Sequence, residues 1–273
     1  MLGKLIKHEL RHSARYTMAI YAAVIVISAV MGLSLLSSAT WLGVMSCGAL
    51  YLTGIIAVIV TLVSVIKNFY DTLFGRQGYL TLTLPVKCSS LLISKVIVSF
   101  IWIVASFALM ALIMIMIFFY AKEKSSGYFS MMSEAISLSG ILELLPSAST
   151  VVKLLTVAAI WAVITIFTYV SFVYFTVTVA NTRAFQSHPK ILGGLVFLGI
   201  FSLNNTVGNM LTAYLPLSFN LGNDTVYFAF QQMDKVQDAL FSYGVGGTVF
   251  SGLLALGLLF LTGYILENKV NLK

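Results

Sequence analysis

The sequence predicts an all-α integral membrane protein with six transmembrane helices, both termini cytoplasmic, and an amphipathic interfacial helix at its amino terminus. Three observations predict it. Apolar residues make up 59% of the 273 residues and charged residues only 9%, against roughly 25% charge in a soluble domain. Mean hydropathy is +0.99. Six apolar stretches contain no Lys, Arg, Asp or Glu and reach the roughly 20 residues a hydrocarbon core demands. The basic residues fall unevenly on the two sides of those stretches, which sets the orientation.

Residues 1–16 come first. On a helix, Leu2, Leu5, Ile6 and Leu10 form one stripe and Lys4, Lys7, Arg11 and Arg15 the opposite one, with His8 and His12 along its flank. Such a helix lies in the membrane interface, each base gaining about 1 kcal/mol near anionic headgroups. Glu9 breaks the pattern by projecting into the apolar stripe. Its neighbours three and four residues away are Leu5, Ile6, His12 and Ser13, which offer it little charge of opposite sign. Glu9 is therefore expected to meet a cytoplasmic base from another segment, Lys95 or Arg183.

The spans follow as Thr17–Leu36, Leu42–Ile66, Val96–Tyr120, Leu154–Ala180, Ile191–Leu215 and Val245–Leu266. A tight hairpin near Ser37–Trp41 joins the first two. The links at 121–153 and 216–244 are longer, and Met131–Ile136 and Gln231–Val236 within them read as amphipathic helices lying on the outer face. With the amino terminus inside, 12 of the 16 bases and three acids are cytoplasmic, leaving four bases and six acids outside. The net +7 thus divides into +9 inside and −2 outside. It reflects membrane orientation and gives no support to nucleic-acid binding. Cys47 and Cys88 offer no disulfide framework. The basic start runs into a full-length span without a small-residue cleavage site, so the first span is expected to stay in the mature protein.

His8-Glu9-Leu10-Arg11-His12 fits H-E-x-x-H, the helical signature of zinc peptidases. A peptidase would use His8 and His12 as ligands and Glu9 as general base. Arg11 between the ligands, with Lys4, Lys7 and Arg15 around them, would repel a dication, and His188 is the only other histidine. A solvated basic face is the better reading, and no metal is expected.

The cytoplasmic segment 67–95 is the most distinctive. Asn68–Phe74 can form a short helix carrying Phe69, Tyr70 and Phe74, punctuated by Gly75 and Gly78. Thr81–Leu84 then alternates up to Pro85, and Ser89 and Ser90 can cap the third span. G-Y-L-T-L-T-L-P-V followed by L-L-I-S-K resembles the first cytoplasmic loop of type-2 ABC transporter permeases, exporter-type membrane subunits common in Gram-positive bacteria. M-L-G-K-L-I-K-H-E-L at the start and Y-I-L-E-N-K-V-N-L at the end are similar to that family's termini. The chain departs from the family pattern at Arg76-Gln77, where members often carry acidic residues.

The resemblance implies a multi-pass subunit of a bacterial cell membrane that pairs with a second permease, the same chain or a paralogue. The pair would dock on cytoplasmic ABC ATPase subunits, which hold the ATP and Mg. It makes Asn68–Phe74 the coupling helix and residues 1–16 the connecting helix. ATPase coupling then falls to Asn68, Phe69, Tyr70, Asp71, Leu73, Phe74, Gly75, Arg76, Gly78 and Tyr79. The chain has no G-x-x-x-x-G-K-[ST] loop of its own, so it is expected not to be an enzyme and to need no cofactor. A zinc peptidase and a non-transporting assembly or sensor subunit stand as alternatives.

Inside the spans, Asn204, Asn205 and Asn209 of the fifth, with Tyr169 of the fourth, are candidates for the substrate path. Helix packing is the competing reading for them. Thr165, Thr168, Ser171 and Tyr174 add further polar groups, and Gly247, Ser251 and Ala255 form a small-residue stripe in the sixth span. No charge lies within the spans to serve an ion relay. A path of hydroxyls and amides suits an amphipathic cargo, a peptide, drug or lipid, with drug or antimicrobial-peptide resistance as the setting.

Overall fold

The computed structural model describes residues 2–35, 40–75, 78, 88–123, 148–182, 188–214, 217–221, 226–230 and 241–268. Outside them lie Arg76, Tyr79, Arg183, most of the turn at Ser37–Trp41, the Thr81–Leu84 alternation, both expected loop helices and the carboxyl tail. The described chain is predominantly helical. It forms α1 (Leu2–Leu35), α2 (Thr40–Leu73), α3 (Cys88–Glu123), α4 (Ala148–Ala180), α5 (Pro189–Tyr214) and α6 (Gly246–Asn268). Three short strands, β1 (Leu217–Leu221), β2 (Val226–Phe230) and β3 (Phe241–Gly244), lie between α5 and α6.

Five stretches are long and apolar enough to cross a membrane: Met45–Leu73, Cys88–Ile117, Thr156–Ala180, Ile191–Thr212 and Gly246–Glu267. The two limbs of α1 pass the same test of length and composition only together, as one bent pair. Large apolar side chains stay exposed along these helices, among them Val30, Leu52, Leu112, Ile160, Leu198 and Phe260. Contiguous apolar surface of that kind marks an interaction face in water, and in a bilayer it is the face turned to lipid. The chain is thus a multi-pass helical membrane protein.

It divides into two compact units: Met1–Gln77 with Ser90–Gly140, and Gly78–Ser89 with Ile141–Lys273. The first unit is built on α1, α2 and most of α3. Val24, Cys47, Leu50, Ala57 and Ile113 form its buried apolar cluster, with Ile20, Met31, Leu109 and Ile117 packed against it.

α1 differs from the expected pairing of an interfacial helix with a separate span. It is one helix bent by 45° between the limbs Leu2–Arg15 and Thr17–Leu33. Side-chain hydroxyls explain the bend. Ser13 Oγ donates to the carbonyls of Glu9 (2.9 Å) and Leu10 (3.2 Å), and Thr17 Oγ1 donates to that of Ser13 (2.8 Å). Hydroxyls inserted into the backbone ladder in this way bend helices.

α2 differs too. The expected short helix Asn68–Phe74 is no separate element, because α2 runs unbroken from the apolar span to Leu73. It closes with the Phe74 and Gly75 amides both donating to the Tyr70 carbonyl, at 2.8 and 3.0 Å, the second being the six-to-one bond of a helix carboxyl cap. Gly75 is required there: a Cβ would come within 2.6 Å of the Asp71 carbonyl oxygen.

The second unit holds α4, α5, α6 and the sheet. α6 packs against both α4 and α5. The sheet has the order β2-β1-β3, both pairings antiparallel, with Leu217 opposite Phe230 and Phe219 opposite both Phe228 and Tyr243. A sheet was not expected between α5 and α6, where the amphipathic stretch at 231–236 suggested helix. Leu-Ser-Phe-Asn-Leu alternates with period two, and the aromatic residues of β2 and β3 favour strand. The Val245 amide donates to the Leu217 carbonyl (2.9 Å), fastening the start of α6 to β1. Glycines permit that junction: a Cβ on Gly244 would overlap the Thr212 methyl, and one on Gly246 would lie 2.8 Å from the Leu211 carbonyl oxygen.

Candidate functional site

In the first unit the polar side chains form a connected ladder along the three helices. Its centre is Lys95, on the second turn of α3 and 2% exposed. Its Nζ donates to Glu9 Oε1 and to Thr72 Oγ1, both at 2.6 Å. Asn68 Nδ2 donates to the same Glu9 oxygen at 3.2 Å, and Thr72 Oγ1 donates on to the Asn68 carbonyl at 2.6 Å. One buried cation thus ties α1 to α2 and α3. Lys95 is the base that meets Glu9, and it does so from inside a helix, although the sequence places it at the end of a loop. α3 begins at Cys88, so Cys88–Ser90 form its first turn and Lys95 enters its buried face.

The ladder continues toward the apolar end of the unit. Trp102 Nε1 donates to Ser13 Oγ (2.9 Å), and the Tyr21 hydroxyl donates to the Trp102 carbonyl (2.9 Å). Thr61 Oγ1 lies 3.3 Å from the Tyr21 hydroxyl. A buried N–H or O–H left unpaired costs about 1–3 kcal/mol, so these bonds select one rotational setting of each helix. Trp102 and Tyr21 also meet edge to face at 5.9 Å. Of this network, sequence reasoning found Glu9 and Lys95. Asn68 stood out only as a coupling residue, and Thr72, Ser13, Trp102, Tyr21 and Thr61 were not singled out. The hydroxyl residues Ser13, Thr17 and Tyr21 along α1 were the only signal for the α1 members, and Thr61, Thr72 and Trp102 carried none.

The Asn68–Gly75 segment divides its side chains between two roles. Phe69 and Leu73 are fully buried, and Asn68 belongs to the Glu9 network. Tyr70 and Asp71 are exposed, and Phe74 is half-buried against Phe69 and Tyr70 with ring centroids 6.4 and 6.2 Å apart. Part of the predicted coupling surface is therefore internal packing, and Tyr70, Asp71 and Phe74 are what a partner could touch. Gly78 is buried, whereas Arg76 and Tyr79 lie outside the described residues.

His8 and His12 are exposed. The carboxylate between them is engaged by Lys95 and Asn68. Among the described residues no three His, Cys, Asp or Glu side chains gather as metal ligands.

The second unit contains a cavity of about 380 Å³ between α4, α5 and α6, and all four substrate-path candidates, Tyr169, Asn204, Asn205 and Asn209, line it. Thr165, Thr168 and Ser251 line it as well, joined by Trp161, Gly208, Thr212, Gly247 and Thr248. None of the lining residues is charged. Asn204 is committed to packing: its Oδ1 accepts from Ser251 Oγ at 2.9 Å. Asn205 and Asn209 are exposed and hydrogen-bond no other described residue. Their amides line a cavity whose wall also carries the hydroxyls of Thr165, Thr168, Thr212, Thr248 and Ser251. Ser171 and Tyr174, the further polar groups of the fourth span, are buried in packing.

The small-residue stripe of α6 explains the shape of the cavity. At Gly247 a Cβ would stand 2.8 Å from Thr212 Oγ1 and 2.9 Å from the Gly208 carbonyl oxygen, so α5 and α6 touch backbone to backbone. The Gly247 amide donates to Thr212 Oγ1 at 3.1 Å. Below that contact Ala255 is fully buried. Comparison with protein families, with curated proteins and with solved structures finds no match for this chain.

Proposed function

We propose that this chain is the permease subunit of an ATP-driven ABC exporter. In this reading six helices span a bacterial cell membrane, the Thr17–Leu33 limb of α1 being the first, with both termini in the cytoplasm. Two permeases, identical or paralogous, would sit on cytoplasmic ATPase subunits that bind ATP and Mg and perform the hydrolysis.

The observation that carries the reading is the unbroken helix α2, which runs from its apolar span directly into the Asn68–Phe74 segment. A lever needs rigidity between the point pushed and the part moved. α2 supplies it, and the Glu9–Lys95–Thr72 contacts brace its cytoplasmic end against α1 and α3. A push on Tyr70, Asp71 and Phe74 would move the braced helices as one body. The resemblance of residues 78–95 to the permease loop names the class of partner.

The cavity of the second unit is the cargo path in this proposal. Its uncharged amides and hydroxyls, flanked by Trp161 and Tyr169, suit an amphipathic peptide, drug or lipid-like molecule with neutral hydrogen-bonding groups. Resistance to drugs or antimicrobial peptides is the setting that such a cargo suggests.

Affinity purification of the full chain from native membranes tests the proposal. An ABC ATPase should co-purify, and Tyr70→Asp or Phe74→Asp should break the association or uncouple ATP hydrolysis from transport. Absence of any ATPase would overturn the reading. Stoichiometric zinc that is lost in a His8→Ala variant would replace it with the peptidase.

A further inference from the structure

The first unit has a second cavity, of about 370 Å³, in the groove between α1 and α2. Ile20 and Ser64 line its apolar end, and His12, Lys67 and Asp71 its charged end. It straddles the bend of α1, since His12 precedes the bend and Thr17 and Ile20 follow it. Lys67 is the first charged residue after the apolar run Leu42–Ile66, so this end of the cavity lies at headgroup depth when α2 spans a bilayer.

Lys67 and Asp71 stand one turn apart on α2, the spacing at which helix ion pairs form. They form none, and His12, Lys67 and Asp71 have no hydrogen-bond or ion-pair partner among the described residues. Their neighbours are committed. Asn68 binds Glu9, Ser13 binds Trp102, and the buried pair Glu9–Lys95 is self-neutralised. The cavity thus presents one unpaired cation and one unpaired anion, with an imidazole beside them. Its volume falls in the range of small-molecule sites.

We propose that this cavity binds a phosphoamine group, a phosphate linked to a primary ammonium, presented by a phospholipid headgroup of the leaflet that borders residues 67–71. Lys67 and His12 donate to the phosphate oxygens, and the Asp71 carboxylate accepts from the ammonium. A purely anionic headgroup would set its charge against Asp71. A trimethylated ammonium could not donate to that carboxylate. Both should therefore bind less well than phosphatidylethanolamine. The site does not rest on the transport reading, although it shares Asp71 with the surface that reading assigns to the ATPase.

The test is native mass spectrometry of the full chain from bilayers of equimolar phosphatidylethanolamine, phosphatidylcholine and phosphatidylglycerol. Wild type should retain phosphatidylethanolamine over each of the others by roughly fivefold, the ratio expected of one well-placed interfacial charge contact. Lys67→Ala should lower retention of all three, and Asp71→Asn should abolish the preference over phosphatidylglycerol. Soluble phosphoethanolamine distinguishes the sources: displacement of the lipid by it assigns the site to the free compound, and failure to displace assigns it to the lipid. Retention that mirrors the bilayer composition in wild type would overturn the proposal. So would an unchanged preference in Asp71→Asn that remains folded by circular dichroism.

Discussion

Lys95 Nζ lies 2.6 Å from Glu9 Oε1 across 86 positions of sequence, the lysine side chain 2% exposed and the glutamate 15%. A buried pair of this kind yields little net stability against an apolar replacement, because each charge loses its hydration. Removing one partner alone is another matter, since it strands the other.

Glu9→Leu should therefore destabilise the chain by about 3 kcal/mol, the range for breaking a buried pair. Lys95→Met should do the same. The double variant should recover at least half of the sum, because it buries no orphaned charge. Thermal unfolding in detergent micelles measures the cycle. Additive losses would mean that the two residues do not act as a pair.

Ser13 and Trp102 form a second testable pair. Ser13→Ala leaves the buried indole N–H without its acceptor, at a cost of about 1–3 kcal/mol. Trp102→Phe removes the donor along with the ring edge. In the double variant the loss should fall short of the sum by about 1 kcal/mol, the size of the bond. Equality with the sum in the same melting assay would remove Ser13 Oγ as the partner.

Glycines 208 and 247 meet across α5 and α6 but should respond unequally to alanine. At Gly247 the new methyl would meet the Gly208 carbonyl and Thr212 Oγ1 inside 3 Å, whereas at Gly208 its nearest neighbour is 3.8 Å away. Gly247→Ala should cost about 1–3 kcal/mol by overpacking, and Gly208→Ala should be close to neutral. Loss of folded yield in Gly208→Ala but not in Gly247→Ala would contradict the contact.

The three asparagines of α5 should separate in the same way. Asn204→Leu breaks the bond from Ser251 and should lower stability by about 0.6–1.7 kcal/mol, the span measured for interhelical bonds in membranes. Asn205→Leu and Asn209→Leu break no bond among the described residues and should leave the melting temperature unchanged or raised. If the cavity is a cargo path, those two variants should nevertheless abolish transport in a whole-cell export assay. Unchanged export in both would leave the cavity without that role.

Much of the fold was legible in the residues. The apolar runs are long and free of charge, so the bilayer requirement on length and polarity marks the spans without knowledge of their partners. The misfit of Glu9 in an apolar stripe could be read the same way, because a carboxylate there demands a cation. The candidate cavity was half legible: Asn204, Asn205 and Asn209 stand out by composition, whereas Trp161, Thr212 and Thr248 look like ordinary span residues until the helices meet. The sheet was not legible, since its short strands gain their pairing only from each other and the amphipathic stretch between β2 and β3 reads as helix.

What the sequence alone determined is the class of solvent that this chain needs, the positions of its apolar helices and the presence of one acid in need of a base. Those follow from side-chain polarity and local spacing. Tertiary structure decided which base answers Glu9, that Asn68–Leu73 extends α2 instead of standing apart, and that only Asn204 of the three asparagines is spent on packing. The physical reason is common to all three. Each depends on a rotation or a continuation of one helix against another, set by contacts between residues tens of positions apart.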